Sequence, residues 1–183
     1  MNIYLHLTIH FLLSILAGYV VFRFWDKKWR VGTRTERLGR SGTGAIIGGI
    51  LGGFFIDLDH LIDYFLVFGW KFNLNYFLKG WSFAKSDYIY IFFHSWELVL
   101  LLLIIFLILK KGLVKTFTLA LALGMCAHLF TDYTMTGAPA SLYFITHRAK
   151  NDFKIEKLFP PEDYQSHLED REWFENNIYN IYK

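Results

Sequence analysis

Only one cysteine, Cys126, is present, so no internal disulfide can form and no thiolate cluster is available for a soft metal. It lies in an apolar run and reads as a small buried residue. Net charge is scarce too: at +3 it is too small for a nucleic-acid footprint, and the basic residues gather beside apolar segments. They look like membrane-topology signals, so no nucleic-acid partner is expected. No basic region precedes the first apolar stretch, which is itself long enough to span. It reads as a retained first helix rather than a cleavable signal. The glycine-rich run after residue 43 lacks the Gly-Lys-Ser/Thr ending of a phosphate-binding loop.

What the chain does have is apolar length. Of its 183 residues, 54% are hydrophobic and 20% aromatic, too greasy for an ordinary soluble fold. Four runs approach the length needed to cross a bilayer: Ile3 to Trp25, Gly44 to Phe68, Ile89 to Leu109 and Thr116 to Met135. The expected fold is therefore all-α: an integral-membrane bundle of about four transmembrane helices over residues 1–146. A short, polar, soluble C-terminal tail follows over 147–183, broken by Pro160-Pro161, with a helix around Leu168 to Tyr182. Gly44, Gly48 and Gly52 recur every four residues, with Gly49 and Gly53 beside them, a spacing that lets helix backbones approach closely.

The apolar runs carry groups that are costly in hydrocarbon. Asp57, Asp59, His60 and Asp63 end the second run, and His6 and His10 lie one turn apart in the first. His94 and Glu97 open the third run, and His128 and Asp132 close the fourth at i, i+4 spacing. With four crossings, these ten residues all fall toward the same membrane side and describe one site. The opposite side holds the basic loops: Arg23, Lys27, Lys28, Arg30, Arg34, Arg37 and Arg40, then Lys110, Lys111 and Lys115. Trp25 and Trp29 flank the first of them, as interfacial aromatics do. The positive-inside bias makes that side cytoplasmic and turns the site outward.

Imidazole and carboxylate together suit zinc, and also manganese or ferrous iron. The donors exceed what one tetrahedral ion needs, which admits a two-metal site of the kind that clamps attacking and leaving oxygens. Some of them would instead orient ligand histidines. His6 alone serves equally well as a hydrogen-bonded packing group or a ligand, and Glu97 as an orienting group or a base.

The order of these pieces resembles the YdjM-like membrane-bound metal-dependent hydrolases of the bacterial inner membrane. The matching stretches are His10, Phe55-Ile56-Asp57-Leu58-Asp59-His60, His94-Ser95, His128 to Asp132, and Thr134 to Pro139. The family often has Leu-Pro where Phe55-Ile56 stand, and His-Arg-Gly-x-Thr before the His-Ser pair, where this chain has Ile89 to Phe93. The motif order is also similar, more distantly, to zinc-dependent phospholipase C. The resemblance implies metal ligation by His10, Asp57, Asp59, His60, His94, His128 and Asp132, with Glu97 or Asp63 as general base. It implies hydrolysis of a phosphoester, with a membrane phospholipid or lipid phosphate as substrate. Rival expectations are a metal or proton transporter and an inactive metal-binding membrane adaptor.

Overall fold

The computed structural model describes residues 3–25, 34–110 and 112–179. Asp26, Lys27, Lys28, Trp29 and Arg30 of the basic loop, Lys111 of the basic turn and the tail end beyond residue 179 lie outside them. The regular structure of the described residues is helical, with one isolated bridge, Tyr88 to Lys154, and no strand. In order, the helices are α1 (Ile3–Val20), continued by a π-turn (Val21–Trp25), α2 (Arg34–Gly53) and α3 (Asp59–Phe68). Then come α4 (Leu74–Leu78), α5 (Trp81–Lys85), α6 (Trp96–Ile108) and α7 (Leu113–Thr136), followed by α8 (Ile145–Lys150), α9 (Ile155–Leu158) and α10 (Pro161–Asn177). They form two compact units: Met1–Asp57 with Phe93–Ala138, and Leu58–Phe92 with Pro139–Lys183.

In the first unit α2 packs against both α1 and α7, and glycine makes this possible. The ladder serves two faces. A Cβ at Gly49 would collide with the Ser14 carbonyl and lie 2.6 Å from the Gly18 nitrogen, both on α1. On the other face, a Cβ at Gly48 would lie 2.6 Å from the Phe117 carbonyl, and one at Gly52 would run into the Leu121 carbonyl, both on α7. The partners reciprocate: Cβ atoms at Gly18 and Gly124 would meet the carbonyls of Ala45 and Gly49 at 2.7 and 2.6 Å. Val21, Ala45, Phe106, Leu119 and Ala120 fill the apolar core alongside. Leu12, Leu16, Leu100, Leu107 and Ile108 stay exposed, as lipid-facing positions would be.

Two helices are long and apolar enough to cross a membrane, Leu5–Phe24 and Leu113–Thr136, and the bent pair Gly42–Gly53 and Phe55–Phe68 makes a third if counted as one span. The expected third run, Ile89 to Leu109, becomes helical only at Trp96. Its first residues satisfy their amides sideways: Ile89 N–H donates to Phe153 O, and Tyr90 and Ile91 N–H donate to Asp63 Oδ2. What is left, α6, has 13 residues, about 20 Å of helix against about 30 Å of hydrocarbon.

The second unit is built on aromatic rings. Tyr64, Tyr76 and Phe174 are buried together, with Phe68, Phe77 and Trp81 packed on them. Trp81 stacks on Trp173 and Phe174 at 5.5 and 4.9 Å. Through these contacts α10, in the polar tail, folds onto α5. Arg171 pairs with Asp87 at 2.5 Å, and Lys85 Nζ sits 3.5 Å above the Tyr179 ring. Tyr64 Oη accepts from Asn73 N–H at 2.8 Å, and Asn73 Oδ1 caps α4 by accepting from Asn75 and Tyr76 N–H. Arg148 is fully buried and donates to Ile91 O at 2.8 Å. Ile91 has φ +25°, so the acceptors and donors around it hold a backbone that a β-branched residue avoids.

Because the α2 contacts are backbone to backbone, Gly52→Ala should destabilise the protein by about 1–3 kcal/mol. Leu51→Ala, on an exposed face, should cost far less. Denaturant-driven unfolding in detergent micelles, followed by circular dichroism, compares the two.

Candidate metal centre

Six of the polar residues from the apolar runs meet in the first unit. α1 supplies His6 and His10 one turn apart, and α7 supplies His128 and Asp132, also one turn apart and on one helix face. Asp57 comes from the 3₁₀ turn Phe55–Leu58 after α2, and His94 from just before α6. His10, His94 and His128 are each 1% exposed, and His6 and Asp132 no more than 9%. Polar atoms buried on this scale must satisfy one another or a bound partner.

Their atoms converge closely. Asp132 Oδ1 lies 3.0 Å from His10 Nε2 and 3.4 Å from His6 Nε2. Asp132 Oδ2 lies 3.1 Å from His128 Nε2 and 3.5 Å from His94 Nε2. Asp57 Oδ1 is 3.3 and 3.4 Å from the same two nitrogens of His94 and His128. The imidazoles also face each other by nitrogen: His6 to His10 at 2.9 Å and His94 to His128 at 3.0 Å.

These spacings are those of ligand atoms around one cation. With bonds of about 2.0–2.1 Å, neighbouring donors sit about 3.3 Å apart in a tetrahedron and about 2.9 Å apart in an octahedron. The protonation pattern fits as well. His128 Nδ1 lies 2.8 Å from the Gly53 carbonyl, which can only accept, so the proton of the neutral ring is on Nδ1. The Nε2 lone pair is thereby turned into the cluster, the orientation a histidine ligand needs. Among the described residues that lie wholly in the first unit, two groups could each hold a metal ion: His6, His10 and Asp132, and His94, His128 and Asp132.

Of the expected ligands, the first unit brings together His10, Asp57, His94, His128 and Asp132. Asp59 and His60 belong to the second unit, where Asp59 is fully buried and His60 meets the Phe83 ring edge-on at 5.1 Å. Asp63, expected as a base, lies there too and accepts the amides of Tyr90 and Ile91 at 3.1 and 3.3 Å. Glu97, the other expected base, accepts from Ser95 Oγ at 2.5 Å in the first turn of α6. His6 was read from the sequence as packing or ligand and takes its place beside His10. The signal was the i, i+4 spacing that also marks His128 and Asp132.

No protein-family model, curated protein or solved structure matches this chain. The likeness to YdjM-like hydrolases therefore stands on motif order alone.

A centre made of neutral imidazoles and carboxylates loses its ion when the ligands are protonated. Metal-loaded protein should release its metal on acidification below the ordinary histidine range, as followed by a chelating dye. His128→Ala should lower metal affinity by at least about 100-fold, since it removes both a donor and its anchored orientation.

Proposed function

We propose that this chain is a membrane-embedded, metal-dependent hydrolase acting on a phosphoester or lipid-linked substrate at the membrane interface. The observation that carries this reading is Asp132, a buried carboxylate whose two oxygens face two separate imidazole pairs. The donor set, with no thiolate in it, favours zinc, with manganese or ferrous iron as alternatives. His10, Asp57, His94, His128 and Asp132 would hold the metal. A bound divalent ion would supply Lewis acidity and water activation near neutral pH. Glu97, three residues after His94 and oriented by Ser95, takes the part of general base.

In this reading α1, α2 with α3, α6 and α7 make four membrane passages, α6 being the short one. The basic loops face the cytoplasm of a bacterial inner membrane, and the site opens outward, where lipid phosphate groups lie. The motif order shared with YdjM-like hydrolases and zinc-dependent phospholipase C supports the same reaction class.

The test is hydrolysis by detergent-purified protein of soluble phosphodiesters, phospholipids and isoprenoid phosphates, with and without chelator. Activity should appear with zinc or manganese, vanish with chelator and return on metal addition. Asp132→Ala and Glu97→Gln should each lower the rate by about 100-fold or more, with Glu97→Gln retaining the metal. Metal-loaded protein that hydrolyses none of these substrates but carries metal or protons into proteoliposomes would overturn the proposal in favour of a transporter.

A further inference from the structure

The second unit carries an apolar surface that its aromatic core does not use. Leu58, just before α3, and Ile62 and Leu66 on it are one turn apart and exposed. The residues after the helix continue that character: Trp70 is 91% exposed, and Phe72 and Leu74 are exposed too. A contiguous apolar surface of this kind, crowned by a nearly bare indole, marks a contact face. The loop that presents it is held in place. Gly69 ends α3 with φ +65°, and its N–H donates to Phe65 O. Asn73 N–H donates to Tyr64 Oη, which donates in turn to Lys71 O at 3.3 Å, so a buried tyrosine fixes the backbone on both sides of Phe72. Phe72 rests against Tyr64 and Phe77 at 5.4 and 5.9 Å, and Trp70 against Phe65 at 5.3 Å. The core beneath therefore aims these rings outward.

Charge selects the occupant. From Tyr64 to Ser86 the chain has three lysines, Lys71, Lys79 and Lys85, and no acidic residue. Lys85 is engaged with the Phe68 and Tyr179 rings, whereas Lys71 and Lys79 are exposed beside the apolar surface. An exposed indole, apolar side chains and ammonium groups on one short stretch match a bilayer interface, where rings sit at headgroup depth and lysines meet lipid phosphate. The stretch also follows directly on the span candidate that closes at Phe68. We propose that Leu66, Trp70, Phe72 and Leu74 form a bilayer-docking face of the second unit. The indole is seated at the boundary between headgroups and acyl chains, with Lys71 and Lys79 against the phosphates of anionic lipids. This contact involves none of the residues of the metal centre, so it stands or falls separately from the hydrolase reading.

The experiment uses the full chain reconstituted into vesicles of phosphatidylcholine, with or without phosphatidylglycerol. Trp70 emission is isolated by subtracting the spectrum of Trp70→Phe, a change at an exposed position that should leave helical content and melting temperature as they are. Lipids brominated high on the acyl chain should quench that emission strongly, and aqueous iodide only weakly. Brominated phosphatidylglycerol should reach half-quenching at a mole fraction about fivefold lower than brominated phosphatidylcholine. Added salt, or Lys71→Gln combined with Lys79→Gln, should abolish this preference and leave the depth of the indole unchanged. Quenching by iodide with none by lipid would overturn the proposal, and equal quenching by the two lipids would refute the anionic contact. A dimer in detergent that Trp70→Ser with Leu74→Ser converts to monomer would overturn it in favour of a second copy of this chain.

Discussion

The closeness of α1, α2 and α7 is the constraint on which the first unit depends. Side chains larger than hydrogen at Gly48, Gly49, Gly52 and Gly124 would hold the three backbones apart, and the histidine–aspartate cluster is assembled by their contact. His6 and His10 ride on α1, His128 and Asp132 on α7, and the Gly53 carbonyl that orients His128 belongs to the end of α2. Donor atoms 3.0–3.5 Å apart on different elements tolerate little separation. The glycine ladder is therefore the packing device that sets ligand geometry, and packing and chemistry are read from the same helix faces. In a membrane, where apolar association between helices gains nothing from excluding water, such close contact is the available means of holding a polar site together.

Much of this was legible in the sequence. The four-residue glycine spacing announced close helix packing, and the i, i+4 pair His128/Asp132 announced two donors on one face. The all-helical class followed from apolar runs too long for strands. What was not legible depended on where helices stop. Gly44 to Phe68 reads as one apolar run, with Asp57, Asp59, His60 and Asp63 as one wall of one site. The helix breaks at Phe54; the 3₁₀ turn that follows carries Asp57 to the histidines of the first unit, and Asp59, His60 and Asp63 begin the second unit on α3. Hydropathy cannot show such a break, because Phe54-Phe55-Ile56 is as apolar as a helix interior.

The same blindness affected Ile89 to Ser95. Its residues are aromatic and aliphatic enough for a span, yet their amides are drawn to Asp63 and Phe153 and their carbonyl at Ile91 to buried Arg148. A carboxylate that satisfies two backbone amides has a structural duty whatever else it does. Nothing in the local pattern around Asp63 distinguishes that duty from catalysis, because the partners are 27 and 28 residues away. The polar tail packs through residues that its overall polarity does not announce. Its composition suggests an appendage, but Trp173 and Phe174 give α10 an aromatic edge that seats it on Trp81.

Charge connects the geometry to the class of substrate. Asp57 and Asp132 are the carboxylates placed among the imidazoles of the centre. One divalent ion would be balanced by them and leave the site neutral, a stable arrangement for a purely structural metal at membrane depth. Two divalent ions would leave an excess of two positive charges in a medium where uncompensated charge is costly. That excess calls for an anionic guest, and a phosphoester brings negative charge together with oxygens able to fill an open coordination position. Ion count, substrate charge and reaction class are thus one question for this site.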